Sequence, residues 1–258
     1  MIDQIGRPVV LIHGWPLNAD SWEYQAVKLA EAGFRVISYD RRGFGRSGQP
    51  WEGYDYDVLS DDLAAVIETL GLTDAAIVGF SMGGGEVARY FGRHGGKGVS
   101  KAVFISSVAP GMLKSDDNPE GVTRDVFEGI REGLRQDRPA FLAEFFKDFY
   151  GQDTETGGVS DAILEWSRDM AMIASPRATL ECVNAFGLTD FTADAAQITV
   201  PTLVIHGTGD KTVPIAATAR RMAKLVPHAT LIEYEGAPHG LTATEPDRVV
   251  RDLLDFLG

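Results

Sequence analysis

Apolar residues in this chain come in short continuous runs, separated by stretches in which they recur every three or four positions. The runs at 8–13, 35–40, 75–80 and 99–107 have the length and β-branched content of buried strands. Between them, 21–32, 57–70 and 82–94 carry helical periodicity, and Gly14 and Gly71 close their segments. Strand and helix in strict alternation predict a parallel sheet with helices on both faces, an α/β fold.

The alternation stops from about residue 109 to 190. That stretch reads instead as helices at 123–135, 139–150, 160–174 and 176–186, rich in aromatic residues. Strand and helix then resume at 202–206, 215–226, 230–234 and 247–257. The expected organisation is one α/β core, 1–108 and 191–258, with 109–190 inserted as a helical cap. Inserted at the carboxyl ends of parallel strands, such a cap covers the place where open α/β sheets bind ligands.

Composition narrows the classes of function. A chain of 258 residues with a net charge of −13 is ill suited to nucleic acid or an anionic membrane surface and suits a small neutral substrate. No apolar stretch reaches the ~20 residues that a membrane helix needs. The first seven residues lack the basic start and apolar core of a signal peptide. Cys182 is the single cysteine, so no internal disulfide forms, which fits a cytoplasmic location.

The most informative segment is Gly79-Phe80-Ser81-Met82-Gly83. As a bare pattern it is weak. It follows a strand and opens a helix, and there a G-x-S-x-G turn exposes a serine hydroxyl. A hydroxyl needs a base to become a nucleophile, and the base needs a carboxylate to orient it. In chain order serine, acid, histidine, the base comes from His206, His228 or His239, since His13 and His94 lie too early. His239 sits in Gly236-Ala237-Pro238-His239-Gly240, a loop between the last strand and the last helix, and is the preferred base. Asp210 follows the preceding strand in His206-Gly207-Thr208-Gly209-Asp210, where two glycines free the loop to aim it; Asp190 and Asp194 are its rivals.

Attack on a carbonyl makes an oxyanion that backbone N–H groups must meet. Met82, next to the nucleophile, offers one, and Trp15, in His13-Gly14-Trp15-Pro16-Leu17, offers the other. Pro16 has no N–H and narrows the conformations open to Trp15. A carbonyl held at Trp15 would accept a hydrogen bond from an attacking water or hydrogen peroxide, unless Pro16 merely stiffens the loop. The charged stretch Asp40-Arg41-Arg42 reads as an ion-paired brace for the Trp15 loop rather than an anion site. Pocket candidates are Trp15, Pro16, Phe80, Met112, Phe127, Phe145, Trp166, Val213 and Leu241.

Three stretches together, 79–90, 39–47 and 13–17, resemble the cofactor-free bacterial haloperoxidases and aryl esterases, a branch of the α/β-hydrolase family, and the stretches 201–210 and 236–240 agree with them. The resemblance covers nearly the whole chain. It implies a triad of Ser81, Asp210 and His239, an oxyanion hole from Trp15 and Met82, and no metal or haem. It implies hydrolysis of small esters, with peracid formation when hydrogen peroxide is co-substrate, and leaves a homo-oligomer open. A lactamase or lactonase with the same triad, and a non-catalytic ligand-binding protein on this fold, are the alternatives. Members of that branch usually begin with a β-hairpin. Only about eight residues precede Val9 here, and the expectation is an exposed sheet edge or reduced stability, with the chemistry kept.

Overall fold

The computed structural model describes residues 6–258. The expectations about the first residues, a missing hairpin and no signal peptide, fall largely on 1–5, outside the described residues. Six strands form one sheet: β1 (Pro8–Ile12), β2 (Arg35–Tyr39), β3 (Ala75–Phe80), β4 (Val99–Ile105), β5 (Thr202–Gly207) and β6 (Ala229–Tyr234). Their order is β2-β1-β3-β4-β5-β6, and all neighbouring pairs are parallel. Every residue of β3 and β5 is buried, as the continuous apolar runs require of strands covered on both faces. This is the parallel α/β sheet that the sequence pattern predicts, in the arrangement that the resemblance to the α/β-hydrolases implies.

The helices on the sheet are α1 (Glu23–Glu31), α2 (Tyr56–Thr69), α3 (Met82–His94), α8 (Ala219–Leu225) and α10 (Pro246–Leu257), with a short α9 (Leu241–Thr244) before the last. Asp55 starts α2 by accepting a hydrogen bond from Val58 N–H at 3.0 Å. Between β4 and β5 run α4 (Arg124–Tyr150), α5 (Asp161–Ile173), α6 (Pro176–Leu188) and α7 (Thr192–Ala195). The two helices expected at 123–135 and 139–150 are one element broken at Asp137, whose φ of −155° and ψ of 85° leave the helical region. Pro139 follows closely, and the Asp137 carboxylate accepts from Ala140 N–H at 3.0 Å, restarting the second half. No helix among the described residues is long and apolar enough to cross a membrane.

Candidate active site

Ser81 follows β3 directly and caps α3 with φ 54° and ψ −117°, a conformation that side chains rarely adopt. Such a turn stores of order 1–3 kcal/mol of strain and persists only where its surroundings hold it. Here Ser81 N–H donates to the Ile105 carbonyl at 2.8 Å, and the Ser81 carbonyl accepts from Gly84 N–H at 3.0 Å. The flanking glycines are demanded by space: a Cβ on Gly79 would lie 2.5 Å from the Gly83 carbonyl oxygen, and one on Gly83 would lie 2.4 Å from that of Ile12.

His239 reaches this turn from the loop after β6. Its Nε2 lies 2.9 Å from Ser81 Oγ and its Nδ1 2.7 Å from Asp210 Oδ2. The imidazole sits against the rings of Phe80 and Phe149, with centroids at 5.4 and 4.7 Å. Its backbone carbonyl accepts from Ser106 Oγ at 2.9 Å, and Gly240 N–H donates to the Phe149 carbonyl at 2.9 Å, so the end of α4 pins the loop.

Asp210 is equally constrained. Oδ1 accepts from Thr212 N–H at 2.9 Å and Val213 N–H at 2.7 Å, and Oδ2 faces His239. Burial alone would push this carboxyl up, but His239 and His206 outweigh it and hold it well below the usual carboxylate range. The rivals lie elsewhere: Asp190 accepts from Thr192 N–H, and Asp194 pairs with Arg89. The glycines of the acid loop do not serve freedom of aim, as the sequence suggested. A Cβ on Gly207 would lie 2.1 Å from the Ala237 carbonyl oxygen and one on Gly209 2.4 Å from that of Gly236, so they let the acid loop and the histidine loop pack backbone to backbone.

The third loop is that of Trp15. Its indole Nε1–H donates to the Thr179 carbonyl on α6 at 3.1 Å, and its ring meets Phe145 and Phe186. Gly14 has no room for a side chain, since a Cβ there would lie 2.8 Å from the Phe80 ring. Neither Trp15 N–H nor Met82 N–H donates to another group among the described residues. Below the loop, Arg41 donates to the His13 carbonyl at 2.6 Å and pairs with Glu86, which also accepts from Tyr39 OH at 2.8 Å. Arg42 forks onto Asp62 at 2.6 Å. Asp40-Arg41-Arg42 is thus an ion-paired brace.

A pocket with a cavity volume of about 40 Å³ opens at Ser81 and His239. Of the expected lining residues, Trp15, Met112, Phe127, Phe145 and Val213 form its wall. Four do not. Phe80 lies under Gly14 and beside the His239 ring, supporting the site from behind, because successive strand residues point to opposite faces. Leu241 opens α9 and is buried in the core, and Pro16 is buried without reaching the pocket wall. Trp166 is 40% exposed, in a separate groove with Tyr24 and Met170, because α5 turns Ser167, Met170 and Ala171 inward. The sequence reading missed Val108, Val122, Val126, Ile130, Phe186 and Thr212. Only the helical spacing of 126, 127 and 130 hinted at a shared face.

Comparison with known proteins identifies the family of the fold. The profile of the alpha/beta hydrolase fold family matches residues 7–246. A non-heme chloroperoxidase of Kitasatospora aureofaciens is 44% identical over 98% of this chain and 92% of its own length. A bifunctional esterase/perhydrolase of Acinetobacter calcoaceticus is 41% identical over 97% of this chain and 91% of its own. The crystal structure of a bromoperoxidase from Bacillus anthracis superposes with a TM-score of 0.94 at 47% identity, covering 98% of this chain and 92% of that one. The chain belongs to the α/β-hydrolase family, in the branch of the non-heme haloperoxidases and esterase/perhydrolases.

Proposed function

We propose that this protein is a serine hydrolase of small carboxylic esters that also forms peracids when hydrogen peroxide takes the place of water. The reading rests above all on the unbroken run from Ser81 Oγ through His239 to Asp210, with contacts of 2.9 and 2.7 Å. Ser81 Oγ attacks the ester carbonyl carbon and its proton passes to His239 Nε2. Asp210 keeps His239 Nδ1 protonated and balances the imidazolium. The oxyanion takes hydrogen bonds from Trp15 and Met82 N–H, and losing one such donor typically costs about 2.7 to 4 kcal/mol. Collapse expels the alcohol, protonated by His239, and leaves the acyl group on Ser81.

Water or hydrogen peroxide then attacks the acyl carbon, again giving its proton to His239. Ser81 leaves with that proton, and the product is a carboxylic acid or a peracid. The pocket argues for a short acyl group. Its cavity volume is only about 40 Å³, and apart from Ser81, Thr212 and His239 its wall is apolar. In this reading residues 109–190 act as the cap, since α4 and α6 contribute Val126, Phe127, Ile130, Phe145 and Phe186 to the wall. A cytoplasmic location, suggested by the lone and buried Cys182, is part of the same proposal.

The test is a fluorophosphonate probe followed by peptide mapping, with p-nitrophenyl ester turnover measured with and without peroxide. Labelling at Ser81 and fastest turnover of the acetate ester are expected. A native protein that turns over no ester and leaves Ser81 unlabelled would be a binding protein on this fold.

A further inference from the structure

His206, the last residue but one of β5, is fully buried and takes no part in the steps above. Its Nε2 lies 2.8 Å from the Val213 carbonyl oxygen and 3.1 Å from Asp210 Oδ2. Both are acceptors, so Nε2 must carry a proton, and the Val213 carbonyl takes the larger share of it. Nδ1 has no hydrogen-bond partner among the described residues. The ring therefore stands as the Nε2–H tautomer, turned to the acid and to the loop that follows it. Few other charged groups reach it. Glu233 is its register partner on β6, and Arg220 of α8 neutralises Glu233 at 2.7 Å. On the far side of Asp210 stands His239, itself enclosed by Phe80 and Phe149.

The contact does two things. It ties the 210–213 turn to a rigid strand, and that turn carries both the acid and Val213 of the pocket wall. It also brings a second donor to the carboxylate oxygen that His239 uses. A donor beside Oδ2 draws charge from that oxygen and weakens its hold on the His239 proton. We propose that His206 is a positioning residue of the acyl-transfer site: it fixes the Asp210 carboxylate against β5 and moderates its pull on His239. The proposal rests on the Ser81-His239-Asp210 reading.

The experiment compares His206→Phe, which fills the space without a donor, with His206→Gln, whose amide N–H can reach the same acceptors. For a p-nitrophenyl acetate substrate, His206→Phe is expected to lower kcat about 10- to 100-fold, as a small misplacement of catalytic groups does, with KM nearly unchanged. The acid limb of kcat/KM should move to higher pH, because an Asp210 without this donor holds the His239 proton more tightly. His206→Gln should recover most of both changes. A merely structural histidine would cut the folded fraction and leave the pH profile of the remainder in place.

An unmoved acid limb in folded His206→Phe, or no recovery in His206→Gln, overturns the proposal. Should His206→Phe not fold, nitrogen-15 spectra of the unaltered protein decide. Protonated Nε2 and bare Nδ1 at His206 support the assignment, and the reverse tautomer overturns it. Ser81→Ala separates the two levels of the argument. If it is inactive while His206→Phe behaves like the parent, the positioning role alone falls. If it keeps full esterase activity, the triad reading falls and takes this proposal with it.

Discussion

Arg41 and Glu86 form an ion pair in the interior, each side chain only 1% exposed, directly below the strand end that carries the Trp15 loop. The pair joins the loop after β2 to α3, the helix that Ser81 caps. Burying two charges is expensive, and the pair is worth keeping only while both members and their hydrogen bonds remain. Arg41→Met should therefore cost about 3–5 kcal/mol, because it strands the Glu86 carboxylate. The double change Arg41→Met with Glu86→Leu should cost less than Arg41→Met alone. Urea unfolding of the three proteins checks this, and equal losses for single and double variants would refute the account.

The Trp15 loop is anchored from above by Thr179 and from below by Arg41, and Pro16 restricts Trp15 from within. If that restriction holds the Trp15 carbonyl where it meets a second nucleophile, Pro16→Leu should lower the ratio of peracid formation to ester hydrolysis. The acylation rate should change less than this ratio, since the N–H of Trp15 remains. Parallel assays of peracid and acid from one ester decide it. An unchanged ratio would leave Pro16 as a stiffener only.

Ile130 and Phe127 close the pocket from α4. Ile130→Ala opens space next to the acyl group rather than deep in the core. Each methylene newly accommodated is worth about 0.8 kcal/mol, or roughly a fourfold gain in kcat/KM. The preference should shift from acetate toward butyrate esters while the rate on acetate stays within about threefold of the parent. A chain-length profile identical to the parent would mean that the acyl group lies elsewhere.

The sheet and the meeting of Ser81, His239 and Asp210 were readable because each lies at or just beyond the carboxyl end of a strand: Ser81 directly after β3, Asp210 in the loop after β5 and His239 in the loop after β6. Their order along the chain and the all-parallel pairing bring the three loops to one edge. The pocket wall was much less readable. Phe145 and Phe186 meet at Trp15 only because α4 breaks at Asp137 and crosses α6, and no local period encodes that crossing. Trp166 misled for the same reason: an aromatic at helical spacing marks a face but not which partner covers it. At His206 the sequence showed a buried strand-end histidine. Its approach to Asp210 comes from the turn at 207–210, and side-chain periodicity does not report turn geometry.

Asp210 also links the site to stability. Its folded carboxyl lies well below its ordinary value, although burial opposes ionisation, because His239 and His206 favour the charged form. A depressed carboxyl contributes stability that is fully present above the ordinary carboxylate value and is lost as pH falls through the folded one. Asp210→Asn, which resembles the protonated acid, should thus be less stable than the parent at about pH 7, and the gap should narrow as the solution is taken toward about pH 3. Its kcat should fall about 10³- to 10⁴-fold, since an amide no longer secures the His239 tautomer. Urea midpoints of both proteins across that range check the linkage. A gap that widens on acidification would show that the charged carboxylate is a burden to the fold and that its environment was misread.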